Sequence, residues 1–296
     1  MGEEEFYCIL KEKISEKMEK QGVDFCFEYI TKNNNQKLPV LMIRGEREGV
    51  SPVIHLKNLY EQVQNGQTLE AVIEEVMYVW EKAMEQKVEI PESFFEFEEA
   101  KERLFFRLVN LGMNVQLWED TPFLPWNDLA LTVRYLVTES EEGISSILVT
   151  EKEITRWGVT LEEVFAEAKI HTKRLFPAKI MEFSSMFPTL LQEKESNQMY
   201  ILTNTKEVNG ATTLCYPNIV WEFAKKLDQN LFILPSSIHE VILVPENNAP
   251  YVEDLKDMIR QANTTVVEEE EILSYQLYYC DRATGEIKIV IKNSEF

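Results

Sequence analysis

The sequence predicts an α+β protein made of repeated β-hairpin-plus-helix (ββα) units, with mostly antiparallel sheets covered by helices. Three observations carry this. Residues 46–72 and 139–164 share an order of residue types: Glu46-Arg47-Glu48-Gly49-Val50 matches Ser140-Glu141-Glu142-Gly143-Ile144, and Gly66-Gln67-Thr68-Leu69-Glu70 matches Gly158-Val159-Thr160-Leu161-Glu162. Short runs such as Val23 to Ile30 alternate apolar and polar residues, as a half-buried strand does. Between such runs lie stretches with apolar residues every third or fourth position, the period of a helix with one buried face.

Taken in order, residues 3–20 place Phe6, Ile9, Leu10, Ile14 and Met18 on one helical face, and Gly22 stops the helix. Val23 to Ile30 comes next as a strand, and three consecutive Asn in 31–36 mark a turn. Leu38 to Arg44 and Val50 to Leu56 read as two strands joined by a charged turn containing Gly45 and Gly49. Thr68 caps a long helix from about Leu69 to Met84, which Pro91 closes. Phe94 to Leu111 is aromatic-rich and reads as helical. Gly112 and the Pro122–Pro125 stretch separate it from the next unit, which suggests an α+β region over 1–120 and a second over 121–296.

Leu129 to Thr138 and Ile144 to Val149 form a second hairpin, succeeded by helices over 151–157 and 160–174. Met199 to Asn204, the Asn209-Gly210 turn and Ala211 to Cys215 read as a third, because Asn-Gly supplies the positive φ angles of a two-residue turn. Asn218 is placed to cap a helix over Ile219 to Leu227. Leu231 to Leu234 and Glu240 to Val244 flank Pro235-Ser236-Ser237-Ile238, with a helix over Pro250 to Ala262. Leu273 to Cys280, a turn over Asp281–Gly285, and Glu286 to Ile291 close the pattern.

Composition narrows the function. Apolar residues make up 45% of the 296, enough for a sizeable core, and no apolar run is long enough to span a bilayer. The first six residues are acidic where a secretory signal is basic and then apolar, which predicts a cytoplasmic protein. Cys8, Cys26, Cys215 and Cys280 form no C-x-x-C pair, and His55, His171 and His239 are the only histidines, so a metal or other cofactor is not expected. A net charge of -21 repels phosphate backbones, so direct nucleic-acid binding is not expected; the same charge suits a protein partner with a basic surface, or serves solubility alone.

The chemistry-bearing candidates gather late in the chain. Ser236, Ser237, His239 and Glu240 lie within five positions, the inventory of a nucleophile, a base and an orienter. Against this, neighbouring strand residues point to opposite faces, so Glu240 is badly placed to orient His239, and turn serines tend to bond local backbone. Cys215, at a strand end before Tyr216-Pro217, could meet His239 from a neighbouring hairpin, if a helix N-terminus at Asn218 lowers its pKa; an inert buried thiol is the commoner outcome. Glu268 to Glu271 reads as a solvated turn. The chain lacks a P-loop, a dinucleotide fingerprint, a G-x-S-x-G elbow and an H-E-x-x-H helix.

The stretches Met199-Tyr200-Ile201-Leu202-Thr203-Asn204, Gly210-Ala211, Tyr216-Pro217 and Leu234-Pro235-Ser236-Ser237-Ile238-His239-Glu240-Val241-Ile242-Leu243-Val244-Pro245, with Trp157-Gly158-Val159-Thr160, resemble an uncharacterised domain-of-unknown-function family of gut Firmicutes. The resemblance covers nearly the whole chain. The C-terminal half is distantly similar to a second uncharacterised Bacillus family with a comparable Pro-x-x-x-(Asp/Glu)-Val-Ile strand. Neither resemblance implies an activity or a set of catalytic residues. The expectation is therefore a non-enzymatic interaction or regulatory module. A hydrolase- or transferase-like enzyme using His239 with Cys215, Ser236 or Ser237 is the alternative, and an acidic nucleic-acid mimic the third reading.

Overall fold

The computed structural model describes residues 1–20, 25–43, 53–85, 90–140, 143–186 and 199–291. They fall into two compact units, one comprising Met1–Lys32 with Gln36–Pro91 and the other Asn33–Asn35 with Glu92–Phe296. The fold is α+β with antiparallel sheets. Among the described residues no helix is long and apolar enough to cross a membrane.

The first unit opens with helix α1 (Glu3–Lys20), then strands β1 (Phe25–Thr31), β2 (Lys37–Ile43) and β3 (Val53–His55), and helices α2 (Leu56–Gln64) and α3 (Leu69–Glu85). The strands pair antiparallel in the order β1-β2-β3. Phe6, Leu10, Ile14 and Met18 recur at the helical period, so all four reach one face of α1 and are fully buried against a core that includes Leu41, Leu56, Val72 and Val76. Thr68 Oγ1 accepts the Ala71 N–H at 3.2 Å, so the expected cap of α3 forms. The strand expected over Val50 to Leu56 ends earlier, because Leu56 already starts α2. The charged turn with Gly45 and Gly49, and Gly22, lie outside the described residues.

The second unit holds two sheets. In one, β6 (Leu129–Ser140) pairs with β4 (Leu104–Asn110) along one side and with β5 (Phe123–Trp126) and β7 (Gly143–Leu148) along the other. The β4–β6 ladder joins both sides of residue 120, where composition alone suggested a boundary. The other sheet has six antiparallel strands in the order β13-β12-β10-β11-β9-β8, namely β8 (Ala178–Glu182), β9 (Tyr200–Asn204), β10 (Leu231–Leu234), β11 (Val241–Pro245), β12 (Tyr278–Cys280) and β13 (Ile287–Ile289). The helices of this unit are α4 (Phe97–Ala100), α5 (Glu151–Trp157), α6 (Leu161–Leu175), α7 (Phe183–Met186), α8 (Ile219–Leu227) and α9 (Val252–Thr265). Strand β10 is buried on both faces: Leu231 and Ile233 pack with Val220 and Ala224 of α8, while Phe232 and Leu234 pack with Leu255 and Ile259 of α9. An all-apolar Leu-Phe-Ile-Leu run suits a strand covered on two sides.

Helices α5 and α6 both begin with capping boxes, Thr150 with Glu153 and Thr160 with Glu163. Gly158 ends α5 in the left-handed conformation that an L side chain resists.

Three expectations are corrected. Phe94 to Leu111 is not one helix: only Phe97–Ala100 is α-helical, and Leu104–Asn110 is a strand, because its Phe-Phe-Arg-Leu-Val run fills two faces of a sheet. The hairpin expected at Asn209-Gly210 does not form. Asn209 does adopt φ 53°, but Gly210–Cys215 winds into a 3-10 helix in which Thr213 Oγ1 donates to the Gly210 carbonyl at 2.6 Å, and β9 pairs with β8 and β11 instead. With that unit gone, the repeated ββα units expected from the sequence are not confirmed. Finally, the strand expected over Leu273 to Cys280 shrinks to Tyr278–Cys280, since the Leu273 and Ser274 N–H groups bond to the carbonyls of Ser236 and Pro235. Asn218 stands at the N-cap of α8 but makes no side-chain cap bond.

Candidate functional site

Residues 235–240 carry the chain from β10 into β11, and a second segment, 268–274, runs beside them. Ile238 N–H donates to the Glu271 carbonyl at 2.9 Å, Ser237 and Ile272 form an antiparallel bridge, and Leu273 N–H reaches the Ser236 carbonyl. Four glutamates in a row read as a solvated turn, yet their backbone is held. Asn34 Nδ2 donates to the carbonyls of Glu269 and Ile272 at 2.8 and 2.7 Å, and Asn33 Nδ2 to that of Glu270 at 2.7 Å. Asn34 is fixed in turn by reciprocal bonds with Asn114, its N–H donating to Oδ1 at 2.8 Å and its own Oδ1 accepting from Nδ2 at 3.0 Å.

This frame brings the Glu271 carboxylate to 3.2 Å from His239 Nε2. The carboxylate partner of the imidazole is therefore Glu271, 32 residues on, and not its neighbour Glu240. The other ring nitrogen, Nδ1, accepts the Asn209 N–H at 3.3 Å. An accepting Nδ1 assigns the proton of a neutral ring to Nε2, which donates it to Glu271. Both ring nitrogens are thus engaged. The backbone of His239 is equally committed: its N–H donates to Ser237 Oγ at 3.0 Å and its carbonyl accepts from Thr203 Oγ1 at 2.8 Å.

The other expected residues do not assemble around the ring. Ser237 is buried, and its hydroxyl is divided between the His239 N–H and the Glu240 carboxylate. Ser236 takes part through its backbone carbonyl, and among the described residues its hydroxyl makes no hydrogen bond. Cys215 lies at the far end of the 3-10 helix from Gly210, packed on the core that contains Tyr278. Burial pushes its thiol up to about 12, opposite to the direction a nucleophile needs, and among the described residues no hydrogen bond joins it to His239. No group of three His, Cys, Asp or Glu side chains is placed to hold a metal ion among the described residues.

Glu240 carries the most informative electrostatics of the segment. Burial raises its carboxyl pKa, and this outweighs the lowering by the neighbouring His239 and by the Ser237 hydroxyl. The folded state therefore holds the proton more tightly than the unfolded chain, so the contribution of Glu240 to stability is full in acid and lost as pH rises through its folded value. Glu240→Gln is expected to melt above the wild type at pH 8, with the gap closing by pH 4, in thermal melts followed by circular dichroism. A variant that melts below the wild type at pH 8 contradicts the assignment.

Sequence reasoning passed over two arginines. Arg107 on β4 interrupts an otherwise buried run and feels the charges of Glu270 and Glu271, and Arg134 on β6 sits between buried Val133 and Tyr135. A cation in mid-strand between buried neighbours was the available signal. Glu271 gave none, because nothing local ties a glutamate in an acidic run to a histidine 32 positions away.

Compared with known proteins, residues 3–282 match the sequence profile of a described family whose function is unknown. No curated protein and no solved structure matches the chain.

Proposed function

Given that this chain belongs to DUF5688, a family of unknown function, we propose that it is a non-enzymatic interaction or regulatory module of a cytoplasm, with a basic-faced protein as its partner. The observation that carries this reading is the engagement of His239. Its two ring nitrogens are held by Asn209 N–H and Glu271, which leaves no lone pair to take a proton from a nucleophile. The thiol of Cys215 and the hydroxyl of Ser237 are likewise taken up by packing and by local bonds. The acidic balance of -21 favours association with a cationic surface and disfavours direct binding of nucleic acid. A source among gut Firmicutes, and distant kinship with a second Bacillus family, belong to the same proposal. The hydrolase- or transferase-like alternative requires His239 to release one of its partners; mimicry of a nucleic acid requires carboxylates ranked at phosphate-like spacing.

The test uses reactive probes on the native protein. Iodoacetamide is expected to modify the exposed Cys8, an internal control, and to spare Cys215; a fluorophosphonate is expected to leave Ser236 and Ser237 free, both read by peptide mass spectrometry. An adduct at Cys215, Ser236 or Ser237 that forms on the wild type and vanishes in His239→Ala would overturn the proposal in favour of the enzyme.

A further inference from the structure

We propose that Arg107 and Arg134 form a binding site for a carboxylate ligand on one face of the β4–β6 ladder, a reading that stands apart from the interaction-module proposal. The register places Phe105 opposite Arg134 and Arg107 opposite Thr132. Directly opposed residues of an antiparallel pair share a face, and so do residues two apart, so both guanidinium groups rise from the same side of the sheet as diagonal neighbours. Each positive charge is felt by the other, as the lowering of the Arg134 pKa by Arg107 records.

Among the described residues no carboxylate comes within ion-pair distance of either guanidinium. Arg134 is anchored by Ser146, its Nε donating to Oγ at 2.8 Å and its Nη2 to the carbonyl at 3.1 Å, both neutral acceptors. Arg107 is worse provided: its Nε is buried with no hydrogen-bond partner. Burial is the first cause lowering the pKa of both groups, down to about 9 for Arg134. Yet both residues keep part of their surface open to solvent. A side chain crowded by protein atoms and still reached by water is recessed, not sealed. Desolvated cations with spare donors are costly on their own and are relieved by an anion that accepts from both forks.

The surroundings select the anion. Glu270 and Glu271 oppose part of the positive charge on Arg107 from a distance, and Glu271 is committed to His239. The remaining charge suits one negative unit better than two, which favours a carboxylate over a phosphate dianion. Beyond Arg134 the same face turns apolar, with Phe105, Leu136 and Phe176 clustered and the Phe105 and Phe176 rings 4.8 Å apart. That cluster is already buried and packed on itself, so recognition rests on the carboxylate. It can come from a free organic acid or from a peptide C-terminus.

The test is ligand-dependent melting at pH 7.5, with sodium acetate, sodium phosphate and a short peptide in free-acid and amidated forms, each against sodium chloride at equal ionic strength. A carboxylate is expected to raise Tm by about 2 °C or more over chloride, since binding to the folded state alone stabilises it. Arg107→Gln is expected to lose that response while melting no lower than the wild type, because it removes an unpaired buried charge. If Arg107→Gln fails to fold, Arg107→Lys decides: it keeps the charge but not the fork, and calorimetry is expected to show at least roughly tenfold weaker binding. Acetate acting while neither peptide does identifies a small acid, and the free-acid peptide acting while its amide does not identifies a chain terminus. No stabilisation over chloride, a response in both Arg107 variants equal to that of the wild type, or stabilisation by phosphate and not by any carboxylate overturns the proposal.

Discussion

Gly210→Ala will be among the most destabilising single substitutions in the second unit. A Cβ at this position falls 2.3 Å from the His239 carbonyl oxygen, 2.0 Å from Thr203 Oγ1 and 2.9 Å from Asn204 N. The Thr203 hydroxyl can rotate away, but only by giving up its 2.8 Å bond to that same carbonyl. The His239 carbonyl and the Asn204 amide belong to the backbone beside two paired strands and cannot yield singly. Separating them pushes the 3-10 helix off β9 and β11, and the Ala211 N–H loses the Ile238 carbonyl it reaches at 3.1 Å. Overpacking of this kind costs about 3 kcal/mol or more. For a domain of this size that is a fall in Tm of roughly 10 °C. The strain is steric and not conformational, as Gly210 is absent from the positive-φ residues. Gly66→Ala is the matched control: φ there is 99°, nothing lies within 4 Å, and a loss of only about 1 kcal/mol is expected. Equal melting temperatures for the two variants would show that the close approach at Gly210 is not real.

Asn34→Ala is expected to rank next. The substitution takes Asn34 from the buried Ile272 carbonyl and the part-buried Glu269 carbonyl, and removes one of two acceptors from Asn114 Nδ2, which keeps the Asn110 carbonyl. Losing these bonds costs about 3 kcal/mol, and holding alanine at the φ of 60° seen here adds about 1 kcal/mol. Asn34→Gly separates the two causes, since glycine accepts the backbone angle but restores no bond, so most of the loss should persist. The local readout is hydrogen exchange. The amides of Ile238 and Leu273, which bind the 268–274 segment to 235–238, are expected to exchange at least roughly tenfold faster in either variant. Unchanged protection at these two amides would mean that Asn34 does not hold the segment.

How far the sequence reached is clearest where local and distant causes part. Helix α8 was readable residue for residue from Ile219 to Leu227, α5 over 151–157, and the capped start of α3 from Thr68, because periodicity and capping act within a few positions. Strand β4 was misread as helix: a run buried on both faces has neither the two-residue nor the 3.6-residue period, and only its partner β6 settles the matter. The 210–215 segment failed for a related reason. Asn-Gly favours a tight turn, but the Thr212 hydroxyl is taken by the Leu108 N–H at 3.0 Å, 104 positions away, a tertiary demand that outweighs the local preference. The candidate site was half legible. His239, Ser237 and Glu240 were found as neighbours; the carboxylate that engages the ring, the asparagine that holds its segment and the Arg107 that feels its charge come from other parts of the chain, where sequence alone records no distance.

The order of the six-stranded sheet also bears on how the chain is made. Strand β10 and its partner β11 leave the ribosome together, as neighbours, but the other edge of β10 is covered by β12, which is synthesised more than thirty residues later. Until then a nascent chain presents four consecutive apolar residues, Leu231 to Leu234, along an open edge, which is a template for pairing with any passing strand. The 268–274 segment, which supplies Ile272 and Leu273 to the same neighbourhood, arrives equally late. Translation stalled or cut short in this interval therefore releases an unfinished sheet with an open apolar edge, a substrate for chaperones and proteases.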